Sequence, residues 1–549
     1  MKRTHSKLWK AIPILLIMSL LLTVLVGCAG SGASSAVSSS QSSSSAASSS
    51  TSSSSAASSS SAASAEPLPI KIVKMNTYEN TEVQKVLEEK YNVKFTIEQV
   101  AADDTDAMNL YWATGNIPDV CVFRNLDGAS LFRQGLIRSF PVEWLEQYAP
   151  DYMKTIYDFM GNGDQALGKK MTLSQIAVDG KVIFVPRDSL TNHVGMLMCA
   201  RQDWLDNLKL SLPTTTEELH SVMTAFTKDD PDGDGAADTY GMHGSGSRSM
   251  RFGYVYASQQ WWPASYYMDD SGKVTYSSAT DKCKEMLTLI RSWYEEGIVD
   301  PEFITDNRQL QRDKWAQGKF GILVDHPWWF ALNTPGNVQS MLLDADSKAK
   351  LTFMEPFADS TGTRYVNTWY PDCVSDASLV FGKDCPDEAI QKMLTIWNDA
   401  ASDWDFYLKY SYGTEGKDYT LDADGRIVKS EASQSDEYAA SFGGLYDFAP
   451  IGTPRDWYLE KICPKVEGDL YSYSLSYKPF YMNNNFVLPT LDTATAQKAA
   501  DVQTVADEYY ASAISGETNL TTDWDAYLAK LDAAGLKDVI AAYEAGGVK

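Results

Sequence analysis

The sequence predicts an α/β protein of two or more lobes, and three observations carry that reading. Residues 69–123 alternate strand-like and helix-like segments, the order that builds a parallel sheet with ligands at the carboxyl ends of its strands. Residues 66–549, roughly 480 residues of ordinary globular composition, are enough for more than one hydrophobic core. Far along the chain, residues 320–324 form a further short apolar run of strand length, directly after a helix end.

The N-terminus reads as an address. Lys2, Arg3, Lys7 and Lys10 precede an apolar stretch, residues 11–26, which is too short to span a membrane and fits a secretory leader over residues 1–27. Leu25-Val-Gly-Cys28 resembles a bacterial lipobox, which makes Cys28 the lipidated (palmitate-bearing) first residue; the alternative is an ordinary signal peptide and an idle Cys. Residues 30–65 are almost wholly Ser and Ala and cannot form a core, so residues 28–65 are expected to be a flexible tether of roughly 30–36 Å. Loss of the leader makes the formal charge of −25 four units more negative. Such acidity excludes nucleic-acid binding, which needs a basic footprint.

The elements follow in order. Residues 69–74 are a strand and 76–80 a polar loop that offers Asn76 and Glu79 to a ligand. Residues 81–90 are a helix with Val83, Val86 and Leu87 on one side. A strand (93–100), a helix (106–114) and a third strand (118–123) lead to the loop 124–127. Residues 215–226 start on a Thr215/Glu218 capping box and place Leu219, Val222, Met223 and Phe226 on one face. Arg201, Asp203 and Trp204 read better as packing residues than as functional ones.

Asp230-Pro-Asp-Gly-Asp-Gly-Ala-Ala-Asp238 puts Asp230, Asp232, Asp234 and Asp238 at positions 1, 3, 5 and 9 of an EF-hand-like loop. Gly235 provides the turn and Ala236 the carbonyl. Hard oxygen donors in that order suit a structural Ca²⁺; the alternative is an acidic surface turn. Position 12 is Gly241, where the usual bidentate Glu is missing. Residues 251–267 are aromatic and polar, a composition that suits sugar rings and hydroxyls; Trp262 is the candidate taken from it. Residues 281–296 are a helix with Cys283, Met286, Leu287 and Ile290 inward, and 386–401 one with Ile390, Met393, Leu394 and Trp397 inward. Arg455 and Trp457 are cleft candidates on composition alone. Cys373 and Cys385 are near enough in sequence to pair, yet small buried thiols are equally common.

In Trp315-Ala-Gln-Gly-Lys-Phe-Gly-Ile-Leu-Val-Asp-His-Pro-Trp-Trp-Phe330, Gly318 ends a helix, the strand follows, and Pro327 stops it before two tryptophans. This stretch resembles the Gly-Pro-Trp segment of extracellular solute-binding proteins of the maltose-binding type, with His326 in place of the family's Gly. The same resemblance runs through Pro118-Asp119 and Gly135-Leu136, residues 196–226, Glu296-Gly-Ile-Val-Asp-Pro-Glu-Phe303 and the closing Trp524-Asp-Ala-Tyr527 helix pair. It implies a two-lobed periplasmic-binding-protein-like α/β fold with a hinge and an interlobe ligand cleft. The lobes would be residues 66–190 plus about 371–486, and 191–370 plus about 487–549. It also implies that Trp328 stacks on a sugar ring, that Phe123, Arg124 and Asp127 lie on a ligand loop, and that Trp369, Tyr370 and Asp372 face the cleft.

The function so implied is that of a monomeric receptor, lipid-anchored on the extracellular face of a bacterial membrane. It would capture a carbohydrate, an oligosaccharide first of all, for the membrane subunits of an ABC importer. A glycoside hydrolase and a peptide receptor are the alternatives. No motif singles out a pair of carboxylates among the 72 acids, and no H-E-x-x-H, G-x-S-x-G or P-loop is present. No catalytic residues are assigned.

Overall fold

Leu68–Val73 and Val93–Glu98 pair in parallel, joined by the helix Glu82–Tyr91, which Thr81 caps and which buries Val83 and Leu87 as expected and Val86 only partly. Val120–Leu126 adds in parallel on the other side of the first strand. Ala377–Phe381 then runs antiparallel beside it, and Val185–Pro186 closes a sheet of five strands. A computed structural model describes residues 66–546 except 75, 101–104, 162, 188–193, 247–249, 331–336, 368–376, 450–452, 483–487 and 490. The leader, Cys28 and the tether lie outside the described residues.

A second sheet of four strands has the order Leu351–Phe353, Leu197–Arg201, Phe320–Asp325, Tyr240–Met242. Phe320–Asp325 is buried at every position, as a strand covered on both faces must be. Its register pairs Ile322 with Ala200, Leu323 with Cys199 and Val324 with Met198. Ile322 and Val324 join the core of Trp204, Phe226 and Phe252; Leu323 joins a separate cluster with Leu197, Cys199, Trp315 and Phe330.

The two sheets have separate hydrophobic cores. One draws on residues 70–185 and 379–449, the other on 196–366 and 502–536. The segment 470–482, read from the sequence as part of the first group, packs with the second. Leu470 and Tyr473 cover the Leu323 cluster, Ser474 Oγ donates to Gly195 O, and Lys478–Phe480 pairs in parallel with Tyr365–Asn367. This Tyr- and Ser-rich stretch has no apolar periodicity to announce its partner. The long helix Thr493–Ser515 packs on Asp281–Glu295, and Trp524–Ala533 and Leu536–Gly546 follow as the expected closing helices. Arg201 binds Asp203 and Asp346 and lies over the Trp204 ring, the packing role expected for this trio. Cys121, Cys199, Cys283, Cys385 and Cys463 are buried free thiols, so Cys385 is unpaired; Cys373 lies outside the described residues.

Gly321 is what lets helix and sheet approach. A Cβ there would run into the Phe226 ring and lie 2.6 Å from Trp204, two rings already locked edge to face at 5.3 Å. Gly321→Ala is therefore expected to cost about 1–3 kcal/mol by overpacking. Urea unfolding would check it; unchanged stability would mean that the aromatic layer has slack.

Candidate functional site

The buried strand Phe320–Asp325 ends in a buried charge. Asp325 is paired with Arg308 Nη2, with Arg312 Nε at 3.0 Å and with Arg251 Nη1 at 3.9 Å. Burial alone would raise its pKa; the three guanidinium groups outweigh that and hold the carboxylate below its ordinary value. Pro327–Phe330 then forms one turn of 3-10 helix. Within it Trp329 lies under Arg312, 3.3 Å from the ring centroid, whereas Trp328 is 36% exposed, an unusual fraction for so large a ring. The turn is pinned by Asn337 Nδ2 donating to Trp328 O at 2.9 Å and by Trp329 N donating to His326 O. His326, which stands where the resembling family has Gly, is buried with its ring 5.9 Å from Tyr471.

At the end of the first strand of the other sheet, Lys74 is buried beside Asn76 and Asp447. Its Nζ donates to Asn76 O at 2.7 Å, and Asn76 Nδ2 donates to both Asp447 oxygens at 2.9 and 3.0 Å. Burial pulls Lys74 down and pushes Asp447 up to about 6, each against the attraction of the other. Asn76 thus sits at a strand end as expected, held by partners the sequence did not announce; Glu79 is exposed.

Other expectations are corrected. Phe123 is buried in the first core, because its strand is covered on both faces, and is no ligand wall. Asp127 caps the helix Gly128–Arg133 by accepting from Ser130 N at 2.8 Å. Trp262 is half-buried and packs edge to face on Tyr256, while its neighbours Phe252, Tyr254, Tyr256 and Trp261 are core. Trp457 packs on Trp404 and Tyr407, and Arg455 pairs with Asp456. The side chain of Arg124 and residues Trp369, Tyr370 and Asp372 lie outside the described residues.

In the acidic loop, carboxylate oxygens of Asp230, Asp232 and Asp234 lie within 4.8 Å of one another. Asp230 Oδ1 is buried with no hydrogen-bond partner among the described residues, and burial beside the other two acids raises Asp232. Gly235 (φ +82°) makes the turn and donates its N–H to Asp230 Oδ2. An unpaired inward oxygen among converging carboxylates fits a hard cation. Asp238 stands apart from that cluster, its Oδ2 2.6 Å from Lys319 Nζ. The missing position-12 Glu has a packing cause. Gly241 lies in the strand Tyr240–Met242, and a Cβ there would crowd Met223, 2.6 Å from its Cα. A second carboxylate group, His243, Asp300 and Asp306, already holds a cation of its own: Lys314 Nζ lies 2.8 Å from Asp300 and 2.6 Å from Asp306.

Sequence reading missed the arginine group on Asp325, the Lys74–Asp447 pair and Glu467. Glu467 is buried in the helix Lys465–Leu475, where it accepts from Tyr458 Oη. Burial pushes it up to about 7 against the pull of the Tyr458 and Tyr471 hydroxyls. Only the two arginines four apart, Arg308 and Arg312 on one helix ahead of Asp325, left a trace in the spacing.

Comparison with known proteins gives the class first. The fold is that of the two-domain solute-binding proteins of ABC importers. The structure of the Streptococcus pneumoniae substrate-binding protein FusA in complex with kestose matches with TM-score 0.60 at 19% identity, over 87% of this chain and 98% of that one. An EF-hand mutant of FusA in complex with fructo-nystose matches equally well at 20% identity, over 87% and 98%. A human-milk-oligosaccharide-binding solute-binding protein from Bifidobacterium longum infantis matches with TM-score 0.63 at 18% identity, over 87% and 98%.

Among curated relatives, the chain is 25% identical to the polygalacturonan/rhamnogalacturonan-binding protein YtcQ of Bacillus subtilis over 64% of this chain. It is 24% identical to lipoprotein LipO of the same organism over 65%. The match spans 66% of the length of each, just under two thirds. FusA itself is 23% identical over 83% of this chain and 84% of its own. No protein-family model matches the chain. The resemblance drawn from the sequence holds in YtcQ and FusA, both of them binding proteins.

Glu467 makes stability depend on pH. Between the ordinary carboxyl pKa of about 4.3 and its folded value of about 7, the folded state keeps a proton that the unfolded chain releases. Its contribution is full below the unfolded value and is lost as pH rises through about 7. The melting temperature is expected to fall from pH 5 to pH 8, and Glu467→Gln to flatten that fall. Thermal unfolding across this range checks it; an identical pH slope in both proteins would refute the assignment.

Proposed function

We propose that this protein is the extracellular substrate-binding receptor of an ABC importer, that it captures an oligosaccharide between two lobes, and that it delivers it to the importer's membrane subunits. The observation that carries the reading is the extent of the similarity to FusA, which takes in 83% of this chain in sequence. A leader, Leu25-Val-Gly-Cys28 and a Ser/Ala tether would hold the receptor at the outer face of the membrane through lipid on Cys28. Similarity to a lipoprotein of Bacillus subtilis supports that arrangement. Among the described residues no helix is long and apolar enough to cross a membrane.

In this reading the exposed Trp328 ring is the platform for a pyranose or furanose face. Asn76 and Glu79 would contribute from the other sheet, with Arg124, Trp369, Tyr370 and Asp372 as further cleft candidates. Closure about the crossings between the two cores would bury the sugar, as in other hinged receptors. Asp230, Asp232 and Asp234, with the Ala236 carbonyl, would hold one Ca²⁺ as a staple of the second lobe. The existence of an EF-hand mutant of FusA supports looking for it.

A thermal-shift screen against mono- and oligosaccharides, followed by calorimetric titration, tests the receptor role; turnover of the bound sugar would instead favour a hydrolase. Trp328→Ala is expected to weaken the best ligand by about 10- to 100-fold, or roughly 1–3 kcal/mol, while leaving unfolding of the free protein nearly unchanged, because the ring is already partly in water. Normal affinity in a folded Trp328→Ala protein would move the platform elsewhere, to Trp369 first. Ca²⁺ is expected to raise the melting temperature by mass action, by an amount that grows with its concentration. Asp232→Ala with Asp234→Ala should abolish the response and spare sugar binding; an unchanged calcium shift in the double variant would refute the site.

A further inference from the structure

The arginine group at the end of Phe320–Asp325 carries more positive charge than the protein around it balances. Three guanidinium groups, Arg251, Arg308 and Arg312, face one carboxylate, Asp325. Among the described residues no second acid is paired with any of them. The imbalance is built into a chain of formal charge −25, in which acids for pairing are plentiful.

The donors are also under-served. Arg251 Nη1 is directed at the Met196 thioether, a weak acceptor, at 2.9 Å. Arg308 Nε and Arg312 Nη2 are buried without a hydrogen-bond partner among the described residues. Burial, with Arg308 and Arg312 alongside, pulls Arg251 down to about 10 against the attraction of Asp325. One such partner neutralises Asp325; two more add repulsion and desolvation, which the stacking of Arg308 and Arg312 on Trp329 offsets in part.

The group has one exposed member. The Arg308 side chain is 40% exposed, while Arg251 and Arg312 lie behind it at about 6%. Arg308 and Arg312 both lie over Trp329, with centroid distances of 5.8 and 3.3 Å, and the preceding residue in the same turn is the exposed Trp328. The turn Pro327–Phe330, with its exposed aromatic face, and the helix Arg308–Ala316, with its guanidinium fork, therefore meet at Trp329. A hexuronate sugar has the matching pair of features: a C–H face for the ring and, at C5, a planar carboxylate that a guanidinium group binds through two hydrogen bonds.

We infer that this receptor selects acidic oligosaccharides, with the carboxylate of a uronic acid residue bound by Arg308, and Arg251 and Arg312 supplying the surrounding positive field. The inference rests on the proposed reading of the chain as a saccharide receptor. It gives the two basic residues behind Arg308 a role in affinity although neither is exposed, since an under-compensated buried charge acts over several ångströms in a medium of low dielectric.

The test is calorimetric titration of the full chain with trimers of galacturonate, glucuronate and mannuronate, with their methyl esters, and with the neutral trisaccharides kestose and maltotriose. The esters keep the rings and remove the charge. At least one oligouronate is expected to bind tenfold or more tighter than its ester, with the ratio shrinking as salt is raised from 50 to about 500 mM. In Arg308→Gln the acid-to-ester ratio should fall toward one; Arg308→Lys, which keeps the charge but not the fork, should retain part of it. Equal affinity for acid and ester, or binding of neutral trisaccharides with none of the uronates, would overturn the inference and leave the saccharide-receptor reading standing. No binding of any saccharide would overturn both. An acid preference that persists unchanged in Arg308→Gln would overturn the assignment of the carboxylate to this arginine.

Discussion

A strand buried on both faces has to end somewhere, and in this protein Phe320–Asp325 ends on a charge. The six buried positions fix the layers on either side: Ile322 and Val324 against the Phe226 and Trp204 layer, Leu323 against Trp315 and Phe330. Gly321 sets how close those layers come. Asp325 then stops the apolar run where three guanidinium groups meet it, and Pro327 turns the chain so that the first tryptophan remains exposed and the next packs under Arg312. The core of the second sheet and the turn that leaves Trp328 exposed are consecutive parts of one segment.

The acidic loop shows how packing edits a motif. Three of its carboxylates converge and one buried oxygen is left unpaired, as a cation loop requires. Its twelfth position has been given over to a strand that packs tightly on Met223, where no Cβ fits. The ninth carboxylate has been taken by Lys319. Sheet packing and a surface ion pair have claimed two positions of the motif, and the remaining carboxylates cluster in its first half. Nearby, Lys314 performs with an ammonium group what a metal could do among Asp300, Glu302 and Asp306.

Much of the scaffold was legible because helices carry their packing in their periodicity. Cys283, Met286, Leu287 and Ile290 are buried on Asp281–Glu295, and Ile390, Met393, Leu394 and Trp397 on Asp387–Ser402, as the 3.6-residue spacing requires. Thr215 caps its helix by accepting from Glu218 N, although Glu218 reaches back to Thr214 rather than to Thr215. The strands beginning at residues 68, 93 and 120 and their parallel pairing followed from the alternation. The candidate site was less legible. A short apolar strand looks the same whether one or both faces are covered, so Phe123 read as a loop aromatic and is core. Residues 251–267 read as a sugar-binding composition, and most of their rings hold the fold together.

By itself the sequence determined the element order, the helix faces and the acidic loop, all properties of residues within a few positions of each other. Only the tertiary structure decided which side chains meet from distant segments. Asn76 finds Asp447, Arg251 finds Asp325, and Tyr471 finds His326. Local spacing specifies a face, but a charge pair made across a fold depends on where two faces come to rest. That position is set by the summed packing of the cores and leaves no periodic mark in the chain.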